Sequence, residues 1–105
     1  MIAMNQETFD RYLLEADKPL LVEYWAPWCV YCRRLAPALG RLAGRRDDVT
    51  VVQINIDEEP ALAERERIEV IPTLVLYEKG ESLGSIVAPD SGARIEEFIL
   101  DVLGQ

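Results

Sequence analysis

Two strand-like segments separated by a helical one constrain the fold of this chain most strongly. Leu20 to Trp25 is apolar on both faces apart from Glu23, and Val49 to Ile56 is rich in β-branched residues. Strands without a polar face must be covered on both sides, which is typical of the centre of a parallel or mixed sheet. The segment from Cys29 to about Ala43 has helical spacing, so this half of the chain needs crossover connections.

Two further helices are predicted in the first two thirds of the chain. Asn5 is placed to cap a helix from about Gln6 to Ala16, since an asparagine side chain accepts hydrogen bonds from free backbone N–H groups. The buried stripe of this helix is predicted to consist of Phe9, Tyr12, Leu13 and Ala16. A short helix is predicted around Ala61 to Arg67, opened by Asp57 or Glu58.

The last third has two short strands and a closing helix. Thr73 to Tyr77 and Ser82 to Val87 are joined by Glu78-Lys79-Gly80-Glu81, which indicates an antiparallel hairpin. Ser91 or Asp90 then caps a helix with an apolar stripe of Ile95, Phe98, Ile99 and Val102. No repeat or linker is visible, so the 105 residues are predicted to form one α/β domain.

The chain has two cysteines, Cys29 and Cys32, at the predicted start of a helix. Side chains three residues apart on a helical turn have β-carbons about 5–6 Å apart, close enough for a disulfide to form reversibly. The positive end of a helix dipole stabilises an anion, and Cys-x-x-Cys thiols there have pKa values of about 3.5–7.5. We therefore predict that Cys29 is the attacking thiolate and that the more buried Cys32 resolves the mixed disulfide.

Three other interpretations of the cysteine pair stay open. A purely structural disulfide gains least stability from so short a loop. A zinc site needs four ligands, and a chain with two cysteines and no histidine would have to add carboxylates or a second chain. Two inert core thiols would suit the burial that cysteine prefers. Spacing and position favour redox chemistry over these three.

Composition disfavours several other functions. The chain has 11 basic and 19 acidic residues, a net charge of −8, which argues against nucleic-acid binding. No segment is apolar for long enough to span a bilayer and no signal peptide is recognisable, so no membrane partner is expected. With Met1 as the natural start, we expect a cytoplasmic protein. The absence of histidine excludes mechanisms built on imidazole.

Several separated motifs resemble the thioredoxin family, and the resemblance covers nearly the whole chain. They are Val22-Glu23-Tyr24-Trp25-Ala26-Pro27-Trp28-Cys29-Val30-Tyr31-Cys32, Leu35-Ala36-Pro37, Asn55-Ile56-Asp57, Ile71-Pro72-Thr73-Leu74 and Lys79-Gly80. The resemblance implies a thioredoxin fold, with a central mixed sheet of four or five strands flanked by four helices. It implies a protein thiol–disulfide oxidoreductase without a bound cofactor, acting as a monomer on disulfide-containing proteins and recharged by an NADPH-dependent flavoprotein reductase.

The resemblance also implies roles for residues around the cysteines. Glu23 stands where the family usually has an aspartate that accepts the proton of Cys32; the alternative is a strand-end glutamate that reaches solvent. A cis peptide bond is implied between Ile71 and Pro72, with the backbone before this proline holding extended substrate as an added strand. The residues expected to contact substrate are Trp28, Val30, Tyr31, Ile71 and Pro72.

Four residues depart from the family pattern. Val30-Tyr31 replaces the common Gly-Pro between the cysteines, which restores a backbone donor near the sulfurs and predicts a less reducing couple. Gln53 replaces a lysine that often neighbours the buried acid, so Glu23 is expected to have less help in ionising. Ala88 stands where glycine is common, and its methyl group is expected to narrow the substrate groove.

Five of the eleven basic residues lie on or just after the cysteine helix: Arg33, Arg34, Arg41, Arg45 and Arg46. One interpretation is a solvated helix face. The other is that Arg33 stabilises the thiolate while the remaining arginines steer acidic partners. Two alternatives to an enzyme also stay open: a redox-regulated binding module, and a dimer that bridges a metal or iron–sulfur cluster through both cysteine pairs.

Overall fold

A five-stranded mixed sheet covered by four helices forms the protein, in a computed structural model that describes residues 1–104. In chain order the elements are β1 (Ile2–Ala3), α1 (Gln6–Glu15), β2 (Leu20–Trp25), α2 (Val30–Arg45), β3 (Thr50–Asn55), α3 (Pro60–Arg65), β4 (Thr73–Glu78), β5 (Glu81–Val87) and α4 (Gly92–Leu103). This confirms the predicted α/β fold, and of the four or five strands expected the sheet has five. Among the described residues, no helix combines the length and apolar character needed to cross a membrane.

The sheet has the strand order β1-β3-β2-β4-β5. Strands β1 and β2 both pair with β3 in parallel, whereas β2 pairs with β4 and β4 with β5 in antiparallel fashion. The crossovers therefore lie in the first half of the chain and the hairpin in the second, as predicted. Lys79 and Gly80 both have positive φ, +53° and +83°, which is the geometry of a tight turn between twisted strands.

Local hydrogen bonds explain where two of the helices begin. The side chain of Asn5 accepts from the backbone N–H of Thr8, and that of Ser91 accepts from the N–H of Arg94. Both predicted N-caps are thereby confirmed, with Ser91 rather than Asp90 in the second. A capping side chain acts on residues only three positions away, so short sequence patterns suffice to find it.

Two local predictions are wrong. Tyr12 is 36% exposed and does not belong to the buried stripe of α1, whose fully buried member is Phe9. Helix α3 begins at Pro60, after an N-cap residue, Glu59, whose side chain makes no capping hydrogen bond, and not at Asp57 or Glu58. Proline has no N–H to lose and its fixed φ suits the first helical position, so Pro60 sets this boundary.

The two faces of the sheet carry separate apolar cores. Helices α2 and α4 cover one face with a cluster that includes Leu21, Leu39 and Ile99, while α1 and α3 cover the other with one that includes Phe9 and Leu62. Successive side chains of a strand point to opposite faces. Glu23, two positions beyond Leu21, therefore lies on the face that α2 covers.

Candidate active site

The cysteine pair lies where β2 gives way to α2. Cys29 is the N-cap of α2, and its sulfur accepts a hydrogen bond from the backbone N–H of Cys32 at 3.1 Å. The two cysteines form a disulfide, with their α-carbons 5.2 Å apart. The sulfur of Cys29 thus occupies the position at which a helix offers free N–H groups to an anion.

Little of the disulfide is accessible from outside. Cys29 is 6% exposed and Cys32 is 3% exposed. The pair packs with Ala26, and partly buried Trp25 and Ile71 lie against the same cluster. Only a small part of the surface of either cysteine is therefore open to a partner disulfide.

Large apolar side chains near the cysteine pair are exposed to solvent. Trp28 is 63% exposed, Val30 48% and Tyr31 65%, and Val70 from the loop before β4 is also exposed. The indole N–H of Trp28 donates to the carboxylate of Asp57, at 3.0 Å to Oδ2 and 3.3 Å to Oδ1, which fixes the orientation of the ring. Exposed apolar surface of this kind is commonly found where proteins bind one another.

The proline loop lies beside the cysteines. The Ile71–Pro72 bond is cis, as the resemblance implied, and Ile71 packs against the cysteine cluster. Pro72 is buried, and its carbonyl oxygen accepts from the backbone N–H of Ala88 at 2.8 Å. Strand β4 begins only at Thr73, so the backbone of Ile71 lies outside the sheet ladder.

Glu23 is buried in the middle of β2, with 1% of its surface exposed. Its Oε1 atom accepts a hydrogen bond from the side-chain amide of Gln53 at 2.9 Å, whereas Oε2 has no protein partner. Burial raises the pKa of Glu23 above its usual value of 4.5, and the bond from Gln53 lowers it by a smaller amount. No protein hydrogen bond joins this carboxylate to either cysteine in the described part of the chain.

Sequence reasoning missed the roles of Asp57 and Val70, and it named Gln53 only for lacking the charge of a lysine. Gln53 is the partner of Glu23 because β2 and β3 pair in a register that sets the two residues side by side. Asp57 holds Trp28, and Val70 extends the exposed apolar surface. The motif Asn55-Ile56-Asp57 was a usable signal for Asp57, whereas nothing local marked Val70.

The arginines of α2 divide into two groups. Arg45 and Arg46 are paired with Glu96, and Arg46 also with Asp48, at the end of the helix remote from the cysteines. At the cysteine end, Arg33 donates to the backbone carbonyl of Pro27 at 3.1 Å. Only part of the basic helix is therefore available to attract an acidic partner.

Ala88 has a backbone conformation that normally suits glycine. Its φ is +45°, a left-handed value that costs a residue with a β-carbon about 1–2 kcal/mol. Ala88→Gly is expected to raise the free energy of unfolding by about 0.5–1 kcal/mol, the relief of strain less the entropy that glycine loses on folding. Urea denaturation measures the change.

Ala93→Gly is the matched control for this substitution. Ala93 is exposed on the first turn of α4, so glycine there relieves no strain and should lower the free energy of unfolding by up to about 1 kcal/mol. Equal losses in the two variants would contradict the strain at Ala88.

A cysteine pair with one sulfur at a helix start, next to exposed aromatic side chains, can in its reduced form exchange with the disulfide of another protein. That chemistry defines a thiol–disulfide oxidoreductase. The chain belongs, more closely, to the thioredoxin family, whose family model matches residues 1–101. Within residues 1–104, no group of three or more Cys, Asp or Glu side chains is arranged to hold a metal ion.

Several thioredoxins are similar to this chain over most of its length. The M-type chloroplastic thioredoxin of Chlamydomonas reinhardtii is 36% identical over 98 residues, covering 92% of this chain and 70% of its own. Thioredoxin 1 of Synechococcus elongatus is 40% identical over 86 residues, with coverages of 81% and 80%. The thioredoxin of Streptomyces clavuligerus is 38% identical over 92 residues, with coverages of 88% and 86%.

Proposed function

We propose that the protein reduces disulfides of other proteins, with Cys29 as nucleophile and Cys32 as resolving thiol. The observation that carries this division is the position of the Cys29 sulfur at the N-cap of α2, where it accepts the N–H of Cys32. Free N–H groups and the helix dipole favour the thiolate form at this position. Cys32, one turn further in, is shielded from a partner until the first exchange has taken place.

The reaction proceeds in two exchanges that balance in electrons and protons. The Cys29 thiolate attacks one sulfur of the partner disulfide, so a bond forms between the two sulfurs and the partner releases its first thiolate. Cys32, once it has lost its proton, attacks the Cys29 sulfur, which forms the Cys29–Cys32 disulfide and releases the second partner thiolate. Two electrons pass to the partner, whose two thiolates take up the protons that the dithiol has lost.

Glu23 is proposed as the acceptor of the Cys32 proton. Its place on the sheet face under α2, its burial and its unpaired Oε2 atom support this role. The raised pKa lets the carboxyl group hold a proton that it can later release. Gln53 orients the group through Oε1 and leaves Oε2 free.

Substrate contact is proposed for the exposed Trp28, Val30 and Tyr31 and for the backbone at Ile71 and Pro72. These three exposed side chains pack against the partner. The backbone of Ile71 lies before the first residue of β4 and is available to pair with an extended segment of the substrate. We further propose that an NADPH-dependent flavoprotein reductase regenerates the dithiol in the cytoplasm, where most thiols are kept reduced.

A dithiothreitol-driven assay tests the proposed reduction. The protein is added in catalytic amounts to a protein disulfide, and the free thiols of the substrate are followed over time. We expect the rate to rise in proportion to the protein concentration, well above dithiothreitol alone. A rate equal to that of dithiothreitol alone would overturn the proposal and favour a redox-regulated binding module.

A further inference from the structure

A groove lies beside the cysteines, between α2 and the segment that connects β5 to α4. Its walls are formed by Tyr31, Arg34 and Leu35 on one side and by Pro72, Ala88 and Asp90 on the other. The groove encloses about 280 Å³, just below the roughly 300–1,000 Å³ of sites that take a whole drug-sized ligand. It therefore suits a single side chain of a larger partner.

Arg34 supplies the positive charge of this groove. The central carbon of its guanidinium group lies 5.6 Å from the centroid of the Tyr31 ring, an attraction that holds the cation beside an exposed aromatic face. In the described part of the chain, no carboxylate oxygen lies within 4.0 Å of the Arg34 guanidinium nitrogens. Its hydrogen-bonding edge is thus available to a partner.

Four other arginines of the protein form ion pairs with carboxylates. Arg45 and Arg46 pair with Glu96, and Arg65 and Arg94 are likewise ion-paired. Three arginines of α2 have no carboxylate oxygen within 4.0 Å in the described part of the chain: Arg33, Arg34 and Arg41. Of these three, only Arg34 lines the groove.

Asp90 gives the groove a polarity. It lines the groove from the segment that connects β5 to α4, and the side chain of Ser91 donates to its Oδ1 atom at 3.3 Å. A carboxylate entering the groove is repelled from the Asp90 wall and attracted to the α2 wall. The charges therefore discriminate between acidic and neutral side chains of the same shape.

We propose that Arg34, held by Tyr31, makes this groove a subsite for an acidic side chain near the cysteine of a disulfide-containing protein substrate. The inference rests on the proposed function, since the occupant must be part of the polypeptide whose disulfide meets Cys29. A guanidinium group binds a carboxylate through charge-assisted hydrogen bonds. A neutral side chain fills the same space but leaves Arg34 without a partner.

Peptide disulfides that differ in one residue test the subsite. Glutamate and glutamine are compared at each of the two positions before and after the cysteine, and the rate constant for reduction by the dithiol protein is measured by chromatography. At one or more positions, we expect glutamate to react about two- to fivefold faster, as one exposed ion pair contributes. The preference should shrink at 1 M salt, where the screening length is about 3 Å.

Variants separate the subsite from general charge attraction. Arg34→Ala should abolish the preference for glutamate and Arg34→Lys should retain part of it, while Asp90→Asn should increase it. Arg41→Ala removes the same charge from the same helix outside the groove, and should keep the preference. Equal reduction of glutamate and glutamine peptides at every position, or equal effects of the Arg34 and Arg41 changes, would overturn the subsite. Failure to reduce any peptide would instead overturn the proposed function.

Discussion

Cys29→Ser is expected to lower the rate of protein disulfide reduction to that of dithiothreitol alone. A serine hydroxyl is not ionised near neutral pH and forms no bond to sulfur that a thiol can reverse, so the first exchange has no nucleophile. The oxygen would still occupy the N-cap of α2 and accept the N–H of residue 32. The fold around the site should therefore persist while the chemistry is lost, which the assay and circular dichroism together would establish.

Cys32→Ser is the matched variant, because it also removes the disulfide but leaves the nucleophile in place. With the resolving thiol absent, the covalent adduct between Cys29 and the substrate should accumulate and be visible by mass spectrometry after thiol alkylation. Both variants lose the same short cross-link, which contributes little to stability. Full activity in the Cys29 variant, or no adduct in the Cys32 variant, would contradict the proposed division of roles.

The sequence predicts those elements of the fold that residues close together in the chain determine. Strand β2 begins and ends at the predicted residues because a segment that is apolar apart from Glu23 defines it and Pro27 stops it. Asn5 and Ser91 cap helices through neighbours three residues away. Tyr12 shows the limit: helical spacing puts it near Phe9, yet only tertiary packing decides how wide a stripe the sheet covers.

The candidate site likewise has features that the sequence predicts and features that only strand pairing creates. The spacing of Cys29 and Cys32 is a local signal, and the structure brings both to the start of α2 as expected. The bond from Gln53 to Glu23 depends on how two strands pair across a separation of thirty residues. The sequence shows only that Gln53 lacks the positive charge of the lysine common at this position. In the fold, its side-chain amide donates a hydrogen bond to one of the two oxygens of the buried Glu23 carboxylate.

Glu23→Gln is expected to remove a loss of stability that the wild-type protein suffers as pH rises. The pKa of Glu23 is raised in the folded state, so between pH 4.5 and the folded pKa the native protein keeps a proton that the unfolded chain has released. The free energy of unfolding then falls with increasing pH across this window and levels off above the folded pKa. We therefore expect the variant to be more stable relative to wild type at pH 8 than at pH 4.

Urea denaturation of both proteins from pH 4 to pH 8 measures that difference and cancels the other carboxyl groups. Asp48 and Glu96 have lowered pKa values, so their contributions are lost as pH falls and are common to both proteins. If the stability difference did not change with pH, ionised Glu23 would not be costly to the fold.

The same substitution should harm the enzyme while it helps the fold. A glutamine cannot accept the Cys32 proton, so release of the substrate from the mixed disulfide should slow, most strongly at pH values where the Cys32 thiol holds its proton.

Gln53→Leu offers the converse change, since it removes the donor to Oε1 of Glu23 and should raise the pKa of Glu23 further. The pH at which the free energy of unfolding stops falling should then move upward, while the fall still begins near pH 4.5, and the pH dependence of release should move with that upper limit. A shift in the stability curve without one in the release rate would separate Glu23 from proton transfer.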